Sequence, residues 1–578
     1  MGNLFQELKR RQVLPVAGGY VVIAWVLIQV ADVVVPALDL PEVIITAVLA
    51  ITVVGFPIAI ALAWIFDITA DGIKRTLSEW QDDGIDATPD FETAKGNPQT
   101  TAPNGSVVVL PFANIGSDPE NEYFSDGLTE DIIDSLAKVS GLQVVARTSA
   151  FVFKNKYEDI RDIGSRLNVE FVVEGSVRKA GNKMRIVAQL IKVEDGYHVW
   201  SETFDRKLLD VFDTLDEITD SIANHLTGLL SEGFIAAKEP SVHRVTRHTN
   251  NLDAYHLYLK GRYYWNMRGD GIMKGMEYFQ QAATADSSYA LPYVGLADTY
   301  ALLGYYGYMP PRTAFPLANE NATKALSIDP SLAEAHTSRA FVKMYYDWDW
   351  EGAREEFLEA LELNSRYAPA RYWFSVLYTI LQDPENALQQ DKLALEVDPV
   401  SPFVNMHHGW TLHCAGRYEE AITQYLTTLE LDHSLWPVYQ LLIYCYSEIG
   451  RYDEAIAAGN VIKEGTHNSI MTLPSIGYAY AKSGESEKAR AVIAELESRE
   501  GEFFWPSHVA SIYAVLEDFD QAFEWLEKAY SIKDHWLITM NAQPEFRSLH
   551  RCSSYHEFAS RVGIGDPVAY QDRREFSS

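Results

Sequence analysis

"GRYEEAITQY" (Gly416–Tyr425) and "GRYDEAIAAG" (Gly450–Gly459) match letter for letter at their start, and every match lies 34 positions apart. Each copy opens with a helix-breaking glycine, then brings an aromatic residue, acids, and an alanine set among aliphatics. Asp and Glu are favoured in a first helical turn, where unpaired N–H groups and the helix dipole present partial positive charge. The phrase predicts a tight turn feeding a new helix. Its repetition predicts a repeated helical unit.

The same period runs through the carboxyl half. Ala353, Ala387, Ala421, Ala455 and Ala489 follow one another at intervals of 34, and Ala522 comes 33 later. A large residue stands four after the alanine at Phe357, Tyr425 and Leu526. Small residues stand twelve before it at Ser375, Gly409, Gly477 and Ala510, and tyrosines nine before it at Tyr378, Tyr446, Tyr480 and Tyr513. Turns such as Asp329–Pro330 and Asp398–Pro399 close several units, and looser units centre on Gly275 and Ala318. This pattern resembles the tetratricopeptide array, two antiparallel helices per unit with small residues where helices touch and bulky ones where they interlock. About eight units are expected from Asn251 to Lys533, with "PEFRSLHRCSSYHEFASRVGI" (Pro544–Ile564) as a cap over the last apolar face.

The resemblance implies a superhelix whose concave face is lined by the first helix of each unit. In such arrays the ninth position of a unit points into the groove. Here it carries Val376, Trp410, Tyr444 and Tyr478, flanked by Tyr372 and Met406 at the fifth position. Tyr372, Met406, Trp410, Tyr444 and Tyr478 are therefore the candidate residues for binding a protein or peptide partner. The competing reading is that these rings pack between neighbouring helices. The Lys and Asn clamp of chaperone-binding arrays is missing, which disfavours an acidic chaperone tail.

Val13–Val35 carries a single charge, Asp32, and Val43–Phe66 carries none. At 1.5 Å per residue each is long enough to cross a hydrocarbon core of roughly 30 Å. "LKRR" (Leu8–Arg11) and "IKR" (Ile73–Arg75) flank the pair, and "PALDLPE" between them has no Lys or Arg. The positive-inside rule then puts both termini and every soluble domain in the cytoplasm, on a bacterial inner membrane. Asp32 sits near the outer end of its span, where an interfacial place is expected. Residues 76–105 read as a flexible tether, and a second linker is expected at 233–250.

"SVVVLPF" (Ser106–Phe112) opens a small α/β domain at 106–232. Helical spacing covers Ser125–Val139, Tyr157–Asn168 and Val211–Leu230, and strand-like runs are Leu142–Arg147, Glu170–Arg178, Lys183–Val193 and Tyr197–Phe204. The order is β-α-β-α-β-β-β-α. "YFSDGLTEDI", "ARTSAFVFKNK" and "EFVVEGSVRKAGNKMRIVAQLI" together resemble the TolB amino-terminal-like (FlgO-like) domain. In many bacterial proteins that domain links an amino-terminal module to a repeat array, and the first 75 residues look like the membrane-hairpin version. Such proteins are sometimes labelled adenylate cyclases through their relatives. A cyclase needs a sizeable domain with two metal-binding aspartates, and no stretch is left to house one.

Eighty acidic against 48 basic residues give a formal net charge of −32, which repels phosphate backbones and argues against nucleic-acid binding. Cys414, Cys445 and Cys552 share no metal-like spacing and point to a reducing compartment. No GxxxxGK[ST], HExxH or GxSxG occurs. In "HHGWTLHC" (His407–Cys414), His408 and His413 stand five apart and face away from a common ligand position. "DWDWEGA" (Asp347–Ala353) reads as a helix start. The expectation is a multidomain chain: a two-helix transmembrane hairpin at 1–75, the α/β domain, an all-α tetratricopeptide solenoid at 251–535, and a capping helix and tail at 536–578. It is read as a membrane-anchored adaptor in signalling or envelope-associated assembly, with no catalytic set, cofactor or metal and with self-association open. The alternative is a small-ligand sensor acting through the α/β domain. Third comes a cyclase-related regulatory protein without a catalytic domain.

Overall fold

The computed structural model describes residues 66–69, 72–75, 102–116, 118, 121–231, 248–465, 469–499 and 503–565. It divides into two units, Met1–Thr100 and Thr101–Ser578. In the first, strands β1 (Phe66–Thr69) and β2 (Gly72–Arg75) pair antiparallel, Phe66 opposite Arg75 and Thr69 opposite Gly72. Phe66, expected to end a transmembrane helix, instead begins a strand, in keeping with the β-branched Ile68, Thr69 and Ile73 around it. The remainder of the expected spans, Val13–Val35 and Val43–Phe66, lies outside the described residues, as does most of both linkers. Among the described residues no helix is long and apolar enough to cross a membrane.

The second unit opens with a mixed sheet ordered β5-β3-β6-β7-β8, formed by β3 (Ser106–Val109), β5 (Gln143–Val144), β6 (Phe171–Ala180), β7 (Lys183–Lys192) and β8 (His198–Lys207). Strand β3 runs parallel to both β5 and β6, and β6-β7-β8 is an antiparallel meander. Beyond Pro111 the chain adds β4 (Ala113–Asn114), parallel to β6. Val107, Val108 and Val109 are fully buried, as an uninterrupted apolar central strand requires. Edge strand β8 buries only Phe204. Helices α1 (Glu122–Ala137), α2 (Arg147–Phe151), α3 (Ile160–Leu167) and α4 (Val211–Ser231) complete the domain. Leu215, Ile218, Ile222 and Leu226 make a fully buried stripe along α4. The short β4 and α2 are additions to the order that the spacing predicts.

Eight helix pairs follow. They are α5 (Leu252–Asn266) with α6 (Gly271–Ala285), α7 (Ala290–Tyr305) with α8 (Pro311–Ile328), α9 (Ala333–Val342) with α10 (Trp350–Leu363), and α11 (Ala368–Ile380) with α12 (Pro384–Val397). Then come α13 (Pro402–Cys414) with α14 (Tyr418–Leu431), α15 (Trp436–Glu448) with α16 (Tyr452–Gly465), α17 (Ser469–Lys482) with α18 (Ser486–Ser498), and α19 (Pro506–Val515) with α20 (Phe519–Ile532). The periodic alanines, Ala318 included, are all fully buried. Gly409 shows why small residues recur: a Cβ there would stand 2.5 Å from the ring of fully buried Tyr425 on the partner helix. Burying a large side chain such as Phe357 at this interlock stabilises by about 1.5–3 kcal/mol.

The turn inside each regular pair uses one left-handed residue. Trp348, Gln382, Gly416, Gly450, Gly484 and Glu517 have φ between 57° and 83°. That is the backbone requirement behind the glycine of the repeated phrase, met at half the positions by residues with a Cβ. "DWDWEGA" is the same turn: Trp348 is left-handed and Asp349 caps α10, its Oδ1 accepting from the Gly352 N–H at 3.0 Å. Between pairs, Asp286, Asp329 and Asp432 each accept from the backbone N–H and hydroxyl of the serine two residues on.

After α20 the chain forms 3-10 turns at His535–Thr539 and Pro544–Arg551 and then α21 (Ser553–Val562). The expected single capping helix is thus two pieces, parted by the extended backbone of Cys552. The end of α20 and this segment reach back to the second and third pairs. The Trp350 indole N–H donates to the Gly563 carbonyl at 2.8 Å, the Arg312 guanidinium donates to the Ser531 carbonyl, and the Lys533 ammonium lies 3.5 Å from the centre of the Trp348 ring.

Candidate functional site

Curling of the pairs until the last reaches the second and third leaves a chamber on the inner face. First helices of pair two and of pairs four to eight contribute, among others, Tyr305, Val376, Trp410, Leu441, Met471 and His508. Tyr345 enters from the π turn after α9, Trp505 from just before α19, and His535, Trp536 and Thr539 from the returning segment. The ends meet here: the Tyr305 and His535 rings lie 4.2 Å apart, and Trp505 stands edge-on to His535 at 4.6 Å. The cavity volume is about 80 Å³. One water needs ~10–15 Å³ on the same scale.

Among the candidate groove residues, Met406 and Trp410 line this chamber, with Val376 beside them. Tyr372 is half-buried and stacks on His407 at 4.7 Å. Tyr444 and Tyr478 sit in the packing between neighbouring units, their rings 5.1 Å apart, and the Tyr478 hydroxyl donates to Glu448 at 2.5 Å. They are 4% and 1% exposed, so the array itself uses them as structural rings. Sequence reading missed Tyr305, Tyr345, Trp505, His508, His535 and Trp536. The residual signal was the crowding of aromatic and imidazole groups in "EFFWPSH" and "KDHWLIT", outside the repeated positions.

No acid, Lys or Arg lines the chamber among the described residues. Burial with no compensating charge lowers His407 and His508 to about 3, and burial, aided by His508, holds His535 well below the usual imidazole value. All three are neutral at pH 7, each with one donor and one acceptor nitrogen. Both nitrogens of His535 and Nε2 of His508 are buried without a hydrogen-bond partner among the described residues.

The histidines of "HHGWTLHC" point to three places. His407 faces the chamber, His408 Nδ1 is 3.6 Å from Asp391, and His413 is buried between Cys445 Sγ at 3.3 Å and Glu545 Oε1 at 3.1 Å. Burial opposes the charged form of His413, but Cys445 and Glu545 outweigh it and push its pKa up. This contact ties the returning segment to pair five.

A second polar cluster joins the α/β domain to the array. On α1, Glu130 pairs with Arg147 and with Arg262 of α5, and Asp131 accepts from the Tyr255 hydroxyl. Burial would raise Glu130, but Arg147 and Arg262 hold it below its usual range. Asp131 and Asp134 are pushed by burial up to about 7. Further along, Asp398 accepts from the Ser149 N–H at 2.9 Å and its hydroxyl at 2.6 Å, and that hydroxyl accepts from the Val400 N–H. Position 400 has valine where the turns at Asp286, Asp329 and Asp432 have serine, and Ser149 of the α/β domain takes its place.

A family model for the second domain of HilA/YgeH-like transcriptional regulators matches residues 104–223. Putative adenylate cyclase 3 of Rhizobium meliloti is 46% identical over 157 residues, 27% of this chain and 26% of that protein. The transcriptional regulator HilA of Salmonella typhimurium is 22% identical over 410 residues, 68% of this chain and 63% of the regulator. The chain thus spans about a quarter of the first relative and less than two thirds of the second. A tetratricopeptide repeat protein of Parabacteroides merdae aligns at 18% identity with a TM-score of 0.33, covering 47% of this chain and 99% of that one.

Proposed function

We propose that the chain is a non-catalytic regulatory scaffold whose helix-pair array holds a segment of a protein partner. In this reading the α/β domain is locked to the array, and the apolar stretches at 13–35 and 43–66 tether the whole to a bacterial inner membrane with the soluble part in the cytoplasm. The observation that carries the reading is the inner face itself. It places Met406, Trp410 and half-buried Trp436 along successive first helices, and Met and Trp are enriched in the cores of protein interfaces. Likeness of residues 104–223 to a domain of transcriptional regulators supports a place in regulation.

The test is a random-peptide selection on the full chain, followed by polarisation titrations of the enriched peptides. A shared consensus whose affinity falls at least ~10-fold in Trp410→Ala and Trp436→Ala is expected, about 1.4 kcal/mol. Absence of a consensus, or equal binding by wild type and variants, rejects the reading. Incubated with ATP and Mg²⁺, the purified chain is expected to yield no cyclic nucleotide.

A further inference from the structure

We propose that the chamber inside the array binds a small, uncharged ligand built on a flat aromatic or heteroaromatic ring and bearing a hydrogen-bonding group. This goes beyond partner recruitment and moves ligand sensing from the α/β domain to the repeats.

Four observations converge. The space is walled on one side where His535 of the returning segment closes against Tyr305 and Tyr345, and it stays open on another. It holds water-sized groups in single figures, too few for a folded segment and suited to one small molecule. Most of its wall residues carry aromatic or imidazole rings, whose faces and edges favour offset or edge-on contact with another planar ring. Finally, the unpartnered nitrogens of His535 and His508 sit in that wall, and buried polar atoms without partners are rare enough in folded proteins to require a reason. A ligand amide or ring nitrogen satisfies them.

Neutrality of the ligand follows from the lining. With no acid, Lys or Arg in the wall among the described residues and the imidazoles uncharged, an ionic ligand would lose its hydration and gain no counter-charge there. Occupancy also bridges the second and third pairs to the segment after the eighth, so the ligand stabilises closure of the array.

Trp410, Trp436, Trp505 and Trp536, four of the 13 tryptophans, line the chamber, so a change in emission of the full chain that Leu441→Trp abolishes reports on it. Nicotinamide and quinolin-2-one serve as planar neutral probes, nicotinate and benzamidine as planar charged ones, and cyclohexanecarboxamide as a neutral non-planar one. The planar neutral pair is expected to change emission saturably, to raise Tm, and to bind at least ~10-fold more tightly than the other three. His535→Leu, which removes the nitrogens, weakens that binding at least ~10-fold, and Leu441→Trp, which fills the space, abolishes it. If His535→Leu lowers the apo Tm, His508→Leu repeats the test from another part of the wall. The inference is overturned by any of three results: no saturation by either planar neutral probe at about 10 mM, charged probes binding equally well, or histidine variants binding like wild type. The two readings share this inner face, but the outcomes separate them: a peptide consensus without saturation by the planar neutral probes overturns this inference alone, and saturation without a consensus rejects the scaffold reading alone.

Discussion

Replacing Asp398 with alanine tests how the α/β domain is held. Asp398 is 3% exposed, and Ser149 is fully buried. The two hydrogen bonds from Ser149 vanish along with those from the Thr148 and Ser401 side chains, and the Ser149 N–H and hydroxyl remain buried without an acceptor. Hydrogen bonds to a charged group contribute about 1.5–3 kcal/mol each, and losses at one residue overlap, so about 3 kcal/mol is expected for the pair. Asp398→Asn keeps one acceptor oxygen and should lose about 1 kcal/mol. Ser149→Ala deprives the Val400 N–H of its acceptor as well. The readout is amide hydrogen exchange followed by mass spectrometry on peptides spanning 142–153 and 397–405. Local opening there should become roughly 100-fold more frequent in Asp398→Ala and about 5-fold in Asp398→Asn, while peptides in α19 and α20 stay unchanged. Exchange equal to wild type in both peptides and both aspartate variants would refute the proposed joint.

The remaining predictions are shorter. Gly409→Ala drives a methyl into the Tyr425 ring and should cost about 1–3 kcal/mol, lowering Tm by several degrees in a thermal scan, whereas Glu517→Gly relaxes a left-handed turn residue and should raise it. Asp131 and Asp134, raised to about 7 by burial, bind more protons folded than unfolded between about pH 4 and 7. Their contribution to stability therefore falls as pH rises through that window, and the urea midpoint of Asp131→Asn/Asp134→Asn should lose less between pH 5.5 and 8 than wild type does. Glu545→Ala leaves His413 buried beside Cys445 without its carboxylate; at a loss of about 3 kcal/mol the returning segment should open to limited proteolysis between residues 533 and 565. An unchanged digestion pattern sets that aside.

The fold was readable wherever the relevant physics is local. A left-handed turn, acids in a first helical turn, and a small residue opposite a large one recur every 34 residues because each unit solves the same packing problem with its own neighbours. Strand alternation and the "AGN" and "EDG" turns likewise exposed the meander. The site was readable only in part, since its two halves differ in origin. Met406 and Trp410 occupy repeat positions and could be named from the period. His535 and Trp505 reach the chamber only because many small rotations between units bring the far end around, and no window of sequence contains that sum. The partnership of Ser149 with Asp398 spans 249 positions, and its single local trace is a missing serine at position 400.

An open solenoid can gain or lose a unit at modest consequence, since each repeat answers only to the two beside it. Here Trp350 reaches Gly563 and Arg312 reaches Ser531, so the arc has a required circumference. Deleting one 34-residue unit would leave a gap at the seam, and duplicating one would overshoot it. Repeat number in this molecule is consequently a dimension of the folded object, as fixed as strand number in a closed barrel.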